Sequence, residues 1–451
     1  MYSILILLIS LAFVCASTLI FKKRDCGFDL YLRILVVLFC VLVNFKYLLS
    51  DGIMLLSDGA DVLQCLLRWG YQIGFAVLPM AVFFPRRLFR NIATCFCLPM
   101  SLLAAVFFNS TFSYYMTEGA GGWYFTPALR YALYIAELSL AIAIPLLLMI
   151  RTGHRMNPRS GSEWLHMLTA IPAALFMMMP SWLPSALVGK TDISYASFSP
   201  FHIGWMVYLP VMCLLLYLVF RNRDDGAKRE LLIFMSIAQV FHTMSIFLKG
   251  YTPSRMPFQL CSIAAFFYLI TMITKSRRMF DFCYLSNIVG ALIAVFLAAF
   301  TEDALCFWTV HYIQEHSFVI IVIITALTLG VFPRVDRRSV KPMLIGFSLY
   351  FLFCFVSGTA INVSTGGGYT VNYFYMFNLE TAVSYVGFAS FTGVLEVKIL
   401  NMTAYPLLIA LVYILFVSLC VGFYFLNRGI YALYDKLKYR KFGQPIKLKM
   451  S

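Results

Sequence analysis

His242-Thr-Met-Ser-Ile-Phe-Leu-Lys-Gly-Tyr-Thr-Pro-Ser-Arg-Met-Pro-Phe-Gln-Leu-Cys261 closes one apolar run and opens the next. Beyond Cys261 come an apolar stretch, the basic cluster Lys275, Arg277 and Arg278, a further apolar stretch, and then His311-Tyr-Ile-Gln-Glu-His316. Long apolar runs broken by short polar mouths belong to a chain that crosses a bilayer repeatedly, because each crossing takes about 20 mostly apolar residues. A cysteine and several histidines at successive mouths form a candidate site, since such groups are costly near hydrocarbon and persist there when they have a task.

The rest of the chain follows the same pattern. Of 451 residues, 61% are hydrophobic and 12% charged, and the mean hydropathy is +0.84, which excludes an ordinary soluble domain. A net charge of +15 would suit nucleic acid. The basic residues fall in short clusters between apolar runs, however, as cytoplasmic loops do, so no nucleic-acid partner is expected. Cys15, Cys40, Cys213, Cys354 and Cys420 sit inside apolar runs, and neither a CxxC pair nor a Cys/His zinc spacing occurs. Neither a disulfide scaffold, a metal nor a cofactor is expected.

Spans are expected near 1–21, 30–50, 67–84, 91–108, 131–150, 164–182, 203–220, 229–248, 256–274, 280–300, 316–332, 342–361 and 403–426. The fold class is therefore all-α, a polytopic transmembrane helical bundle of about thirteen spans. Lys22-Lys23-Arg24 follows the first run directly, so that run reads as an uncleaved span with its N-terminus outside. Odd loops are basic: Arg86, Arg87 and Arg90; Arg151, Arg155 and Arg159; Arg221, Arg223, Lys228 and Arg229; Lys275, Arg277 and Arg278; Arg334, Arg337, Arg338 and Lys341; and the tail from Arg428 to Lys449. Even loops carry Asp51, Asp58, Asp61, Glu118, Glu302 and Asp303, with only scattered Arg130, Lys190, Lys249, Arg255 and Lys398. This alternation predicts a multi-pass protein of the cell membrane with a cytoplasmic C-terminus. The sequons at Asn109, Asn362 and Asn401 fall on the outer side.

A shift of about 191 residues lays Pro85-Arg86-Arg87-Leu88-Phe89-Arg90 on Ser276-Arg277-Arg278-Met279-Phe280-Asp281, with Ala-Val-Phe following in both copies. This suggests two parallel six-helix repeats behind a leading helix, divided as 1–226 and 227–451. Gly70 then stands opposite Cys261, so only the second half carries the thiol.

The second half, from Lys228 to Leu426, resembles the YwaF-like family of bacterial six-helix integral membrane proteins. More distantly, it resembles the eukaryotic transmembrane acyltransferases that use a cysteine on ether phospholipids. The resemblance rests on Met256-Pro257-Phe258-Gln259-Leu260-Cys261, on Tyr312-Ile313-Gln314-Glu315-His316, and on Asn372-Tyr373-Phe374-Tyr375-Met376. It departs at Gln259, where the family usually has histidine, and at Glu315, inserted before His316. The resemblance implies Cys261 as nucleophile, His316 as its base, and Gln259, His242, Asn372 and Tyr373 around a phospholipid substrate.

Counting from the span ends places His242 about six residues, roughly 9 Å, below the outer surface, with Cys261 and His316 at similar depth. A thiol there needs a base or cation to act as a nucleophile. The plainer readings are that Cys261 is a packing residue, that His316 rests at the interface, and that His242, Asn44, Gln239 and Asn287 are interhelical hydrogen-bonders. Glu137, inside the fifth span, marks a polar pocket or a helix contact. The long loop from Asn362 to Asn401, with Gly366-Gly367-Gly368 and an aromatic run, reads as a lid, or else as an exposed hairpin. The basic tail is expected to lie on the anionic inner leaflet. Two classes of function stand: a lipid acyltransferase or hydrolase, or a secondary transporter or flippase-like carrier, the latter suggested by the parallel repeat.

Overall fold

The computed structural model describes residues 2–21, 25–49, 62–109, 111–112, 126–191, 193, 196–298, 302–385 and 387–442. Lys22, Lys23, Arg24, Asp51, Asp58, Asp61, Glu118 and Lys449, which carry part of the charge alternation, lie outside the described residues. The chain is a multi-pass, all-α membrane protein. In order its principal helices are α1 (Tyr2–Phe21), α2 (Asp25–Phe45), α3 (Val62–Phe83), α4 (Arg87–Val106), α5 (Pro127–Thr152) and α6 (Gly161–Met177). They continue as α7 (Pro200–Phe220), α8 (Asp225–Lys249), α9 (Leu260–Thr274), α10 (Arg277–Phe296), α11 (Phe307–Thr328), α12 (Val340–Ser364) and α13 (Pro406–Phe442).

Every expected span falls on one of these helices. Among the described residues, eleven helices are long and apolar enough to cross a membrane. The two that fall short are α6, with 17 residues, and α9, with 15. Proline explains both: α6 stops just before Pro180, and α9 begins only after Pro253 and Pro257, which lack the N–H a helix needs and push their predecessors out of helical geometry. At about 1.5 Å per residue α9 is roughly 22 Å long, less than the ~30 Å of hydrocarbon. The irregular backbone before it therefore has to be sheltered by protein.

At the other extreme, α13 runs unbroken for 37 residues. The basic tail as far as Phe442 continues this helix. Arg334 holds it near its end through Asp435 at 3.0 Å and the rings of Tyr431 at 4.8 Å and Tyr434 at 5.3 Å.

Two helices share an irregularity. In α4 a π turn, Ala93–Cys97, interrupts the α geometry after six residues and is followed by nine more. In α10 the π turn is Cys283–Asn287, again after six residues and before nine. Cys283 lies 190 positions after Ala93, one fewer than the shift that aligns the arginine pairs. Two further helices end in 3-10 turns: α2 passes into Lys46–Leu49, and α8 ends in Ser245–Lys249. π turns are rare and concentrate at functional sites, and these two fall in the helices that the 191-residue shift aligns.

Two compact units divide the chain. The first joins Met1–Tyr208, Gly226–Arg255 and Ala298–Phe318; the second joins Leu209–Asp225, Met256–Leu297 and Val319–Ser451. The first unit buries an ion pair. Lys46 bonds to the Glu137 carboxylate, donates to the Val43 carbonyl at 3.1 Å and lies 5.0 Å from the centre of the Tyr134 ring. Glu137 is thus a helix contact, joining α5 to the end of α2. Arg68 stands nearby over Trp182, 4.8 Å from its ring centre.

In the second unit the core is aromatic. Phe280 stacks on Phe332 at 4.3 Å, and Gly346 leaves room for Phe282, whose ring would be 2.7 Å from any β-carbon there. Along α12, Met343, Phe347, Tyr350, Cys354 and Gly358 face inward while Ile345, Leu349, Leu352 and Val356 are exposed. Both faces are apolar, one for packing and one for lipid.

Candidate functional site

In the second unit the site begins at the start of α9. Gln259 is the N-cap, extended at φ −63° and ψ 150°, so Cys261 falls in the first helical turn and is partly exposed. The first-turn N–H groups of a helix have no acceptor within it, and its dipole presents partial positive charge there. A thiolate and a tetrahedral oxyanion are both served by that arrangement. The carbonyl just ahead of the turn is pinned: Phe258 O accepts from Tyr350 Oη at 3.0 Å and from Cys354 Sγ at 3.5 Å.

The aromatic run of the long loop closes over this helix start. Phe374 N donates to Gln259 Oε1 at 3.4 Å, and the buried Tyr373 ring meets Phe258 edge-on at 5.6 Å. Asn372 Oδ1 accepts from Phe377 N at 3.0 Å and Asn378 N at 3.3 Å, which turns the chain sharply. Phe374 and Tyr375 both hold left-handed backbone, φ 56° and 58°, a conformation that costs an L-residue about 1–2 kcal/mol. Packing sustains it, since the Phe374 ring sits among Phe347, Tyr350, Phe351 and Phe416 at 4.8 to 6.1 Å. Asn362 ties the loop's root, donating to Val371 O at 3.0 Å and accepting from Val371 N at 2.8 Å. Its side chain is thus bonded on both its nitrogen and its oxygen and is buried.

The loop also seats Phe377 against Gly358, where any β-carbon would collide with the ring. Gly358→Ala is expected to cost about 1–3 kcal/mol, as overpacking does, and to loosen the loop. Limited proteolysis within Thr365–Asn378 should accelerate; unchanged cleavage and melting would show that the ring relocates freely.

In the first unit the polar residues of α11 each find a distinct partner. Gln314 donates to Met179 O at 2.7 Å and accepts from Ser181 at 2.6 Å. Glu315 accepts from Thr243 at 3.3 Å, and Ser317 from Trp205 at 2.8 Å. His316 Nδ1 bonds to the Tyr312 carbonyl at 2.8 Å, so Nδ1 carries the proton and Nε2 keeps a lone pair. This is the tautomer a general base requires. His242 Nε2 bonds to Met177 O at 2.7 Å, which leaves its Nδ1 as the lone-pair atom, buried and without a hydrogen-bond partner among the described residues. His311 joins them: its Nδ1 is 3.3 Å from Ser245 Oγ, and it lies within electrostatic range of both His242 and His316.

The six residues named from the sequence thus fall into two groups. Gln259, Cys261, Asn372 and Tyr373 are gathered at the start of α9 in the second unit; His242 and His316 are gathered with His311 in the first. Sequence reasoning missed Tyr350, Tyr268 and Cys354 as neighbours of the Cys261 turn. Tyr350 interacts electrostatically with Cys261, Cys354 and Tyr373, and Tyr268 with Cys261. Tyr268 lies seven residues after Cys261 on the same helix, a spacing that puts both on one face and was available as a signal. Among the described residues no three His, Cys, Asp or Glu side chains are grouped so as to hold a metal ion.

No curated protein and no solved structure matches the chain. The TMEM164 family matches residues 197–427, which take in α7 as well as the six helices of the second half. With just over half of its length matched by that family, the chain belongs to the TMEM164 family.

Proposed function

We propose that this protein transfers or hydrolyses acyl groups of membrane phospholipids through a thioester on Cys261, at the outer leaflet of the cell membrane. The placement of Cys261 in the first turn of α9, partly exposed and roofed by the Asn372–Phe377 loop, is the observation that carries this reading. The YwaF-like resemblance of the Cys261, His316 and Asn372 motifs supports it.

In the reaction, the Cys261 thiolate attacks the ester carbonyl of a phospholipid. The tetrahedral intermediate collapses to an acyl thioester and expels a lysophospholipid alkoxide, which takes the proton that the Cys261 thiol gave up. An acceptor hydroxyl, or water, then attacks the thioester while a base removes its proton, giving a new ester or a free fatty acid and restoring the thiol. His316 is the proposed base, because its Nε2 lone pair is held in place by the Nδ1 bond to Tyr312. The Gln259 side-chain NH2, whose oxygen is occupied by Phe374 N, is the proposed oxyanion donor.

Incubating the purified protein with a phospholipid bearing a clickable acyl chain tests this directly. A covalent label that hydroxylamine removes at neutral pH is expected; no label, or a hydroxylamine-resistant one, refutes the thioester. The orientation, N-terminus outside and C-terminus cytoplasmic, is tested by fusing alkaline phosphatase after Leu426. The fusion should be inactive, and an active one would invert the assignment of the site to the outer leaflet. The duplicated π-turn helices favour a carrier as the second reading, since parallel repeats are common in secondary transporters. Phospholipid movement between leaflets of reconstituted vesicles without covalent labelling would select it.

A further inference from the structure

Two cations share one indole at the end of α8. Lys249 Nζ lies 5.8 Å from the centre of the Trp308 ring and 5.6 Å from that of Phe307. Arg255 Cζ lies 5.6 Å from the same Trp308 ring. Arg255 is fixed in place, its Nη1 donating to the carbonyls of Lys249 and of Gly250, the latter at 2.8 Å. Among the described residues no carboxylate lies within ion-pair distance of either cation. Burial also pulls the Arg255 guanidinium below its ordinary pKa.

Each cation is held on the Trp308 ring, an attraction that carries no counter-charge. An anion that met both cations would gain charge-assisted hydrogen bonds, and phosphate suits a guanidinium fixed by carbonyls together with an ammonium. The surroundings indicate which phosphate. Lys249 ends α8 and Trp308 is the second residue of α11, so the group lies at the mouths of two membrane spans, where tryptophan and lipid headgroups meet. Phe307, the other ring beneath Lys249, stacks on His311 at 5.6 Å and 7°, so an anion held there would sit about one turn above the histidine cluster.

We propose that Lys249 and Arg255, standing on Trp308, bind the phosphate of a phospholipid headgroup. This rests on the acyl-transfer reading and supplies its missing part, a site that selects phospholipids over neutral lipids.

Binding is best measured on full-length Cys261→Ala protein in detergent micelles, which holds substrate without turning it over. Dihexanoyl phosphatidylglycerol should raise the melting temperature, whereas dihexanoylglycerol, of equal chain length without phosphate, should not. Lys249→Gln combined with Arg255→Gln should weaken the phospholipid response by about tenfold or more. Lys249→Gln alone leaves the carbonyl bonds of Arg255 intact and serves as the variant that keeps the loop folded; it should weaken binding while its melting temperature without lipid stays unchanged. In the Cys261-intact protein the same single variant should raise KM and leave kcat near the parent value.

Equal responses to the two lipids, or undiminished binding in both variants, would overturn the assignment. Inorganic phosphate as effective as the phospholipid would assign the site to a free anion and overturn it too. Because binding is read without turnover, its loss and the failure of the thioester chemistry are separate results.

Discussion

Glu137→Ala is expected to destabilise the protein by about 3–5 kcal/mol, because it strands the Lys46 ammonium in a site from which water is excluded. Glu137 is fully buried and Lys46 is 3% exposed, so neither charge can relax toward solvent, and the Val43 carbonyl and the Tyr134 ring, which also meet Lys46, are weaker than a carboxylate. The expected loss would lower the unfolding midpoint in detergent far more than any surface change. The decisive comparison is the double variant Lys46→Met with Glu137→Met, which removes both charges at similar volume and should recover most of the stability. If the double variant is as unstable as the single, the pair contributes through a wider network, Arg68 and Trp182 included, and not mainly through each other.

That pair also shows what could be read in the chain before its fold was known. Glu137 was conspicuous as a lone acid in an apolar run. Its partner was not, because Lys46 falls near the end of the expected span 30–50, where a lysine ordinarily reaches out to the interface. Spans were legible wherever apolar length decided the matter. The shortened helices were not, since the effect of Pro180 or Pro257 depends on what shelters the exposed backbone.

α12 is the clearest case of hidden orientation. Tyr350, which bonds to the carbonyl ahead of the Cys261 turn, lies beside the lipid-exposed Leu349 in a run where inner and outer faces are equally apolar. Periodicity marks a face only when the faces differ in polarity, so the part of α12 in the packing around Cys261 had no trace in the pattern. The long loop, whose aromatic run packs at the start of α9, was legible as more than a simple connection. The double left-handed turn at Phe374 and Tyr375 was not, because neither residue type ordinarily adopts it.

The second large effect falls on chemistry and not on stability. Cys261→Ala should abolish the hydroxylamine-sensitive label and lower acyl transfer by on the order of a thousandfold or more, as loss of a covalent nucleophile does. Folding should barely respond: Cys261 is partly exposed, so removing one sulfur leaves a void worth about 1 kcal/mol at most. Those two readouts separate a nucleophile from a packing residue, which would give a small stability change and no change in rate. His316→Ala should reduce the rate while sparing the thiol itself, so added imidazole should restore part of it by supplying the missing lone pair. Cys354→Ala is the necessary control, because that thiol bonds to the Phe258 carbonyl at 3.5 Å in the same unit. If Cys354→Ala, and not Cys261→Ala, erased the label, the nucleophile would be the thiol on α12, and the first turn of α9 would serve only to position the carbonyl it touches.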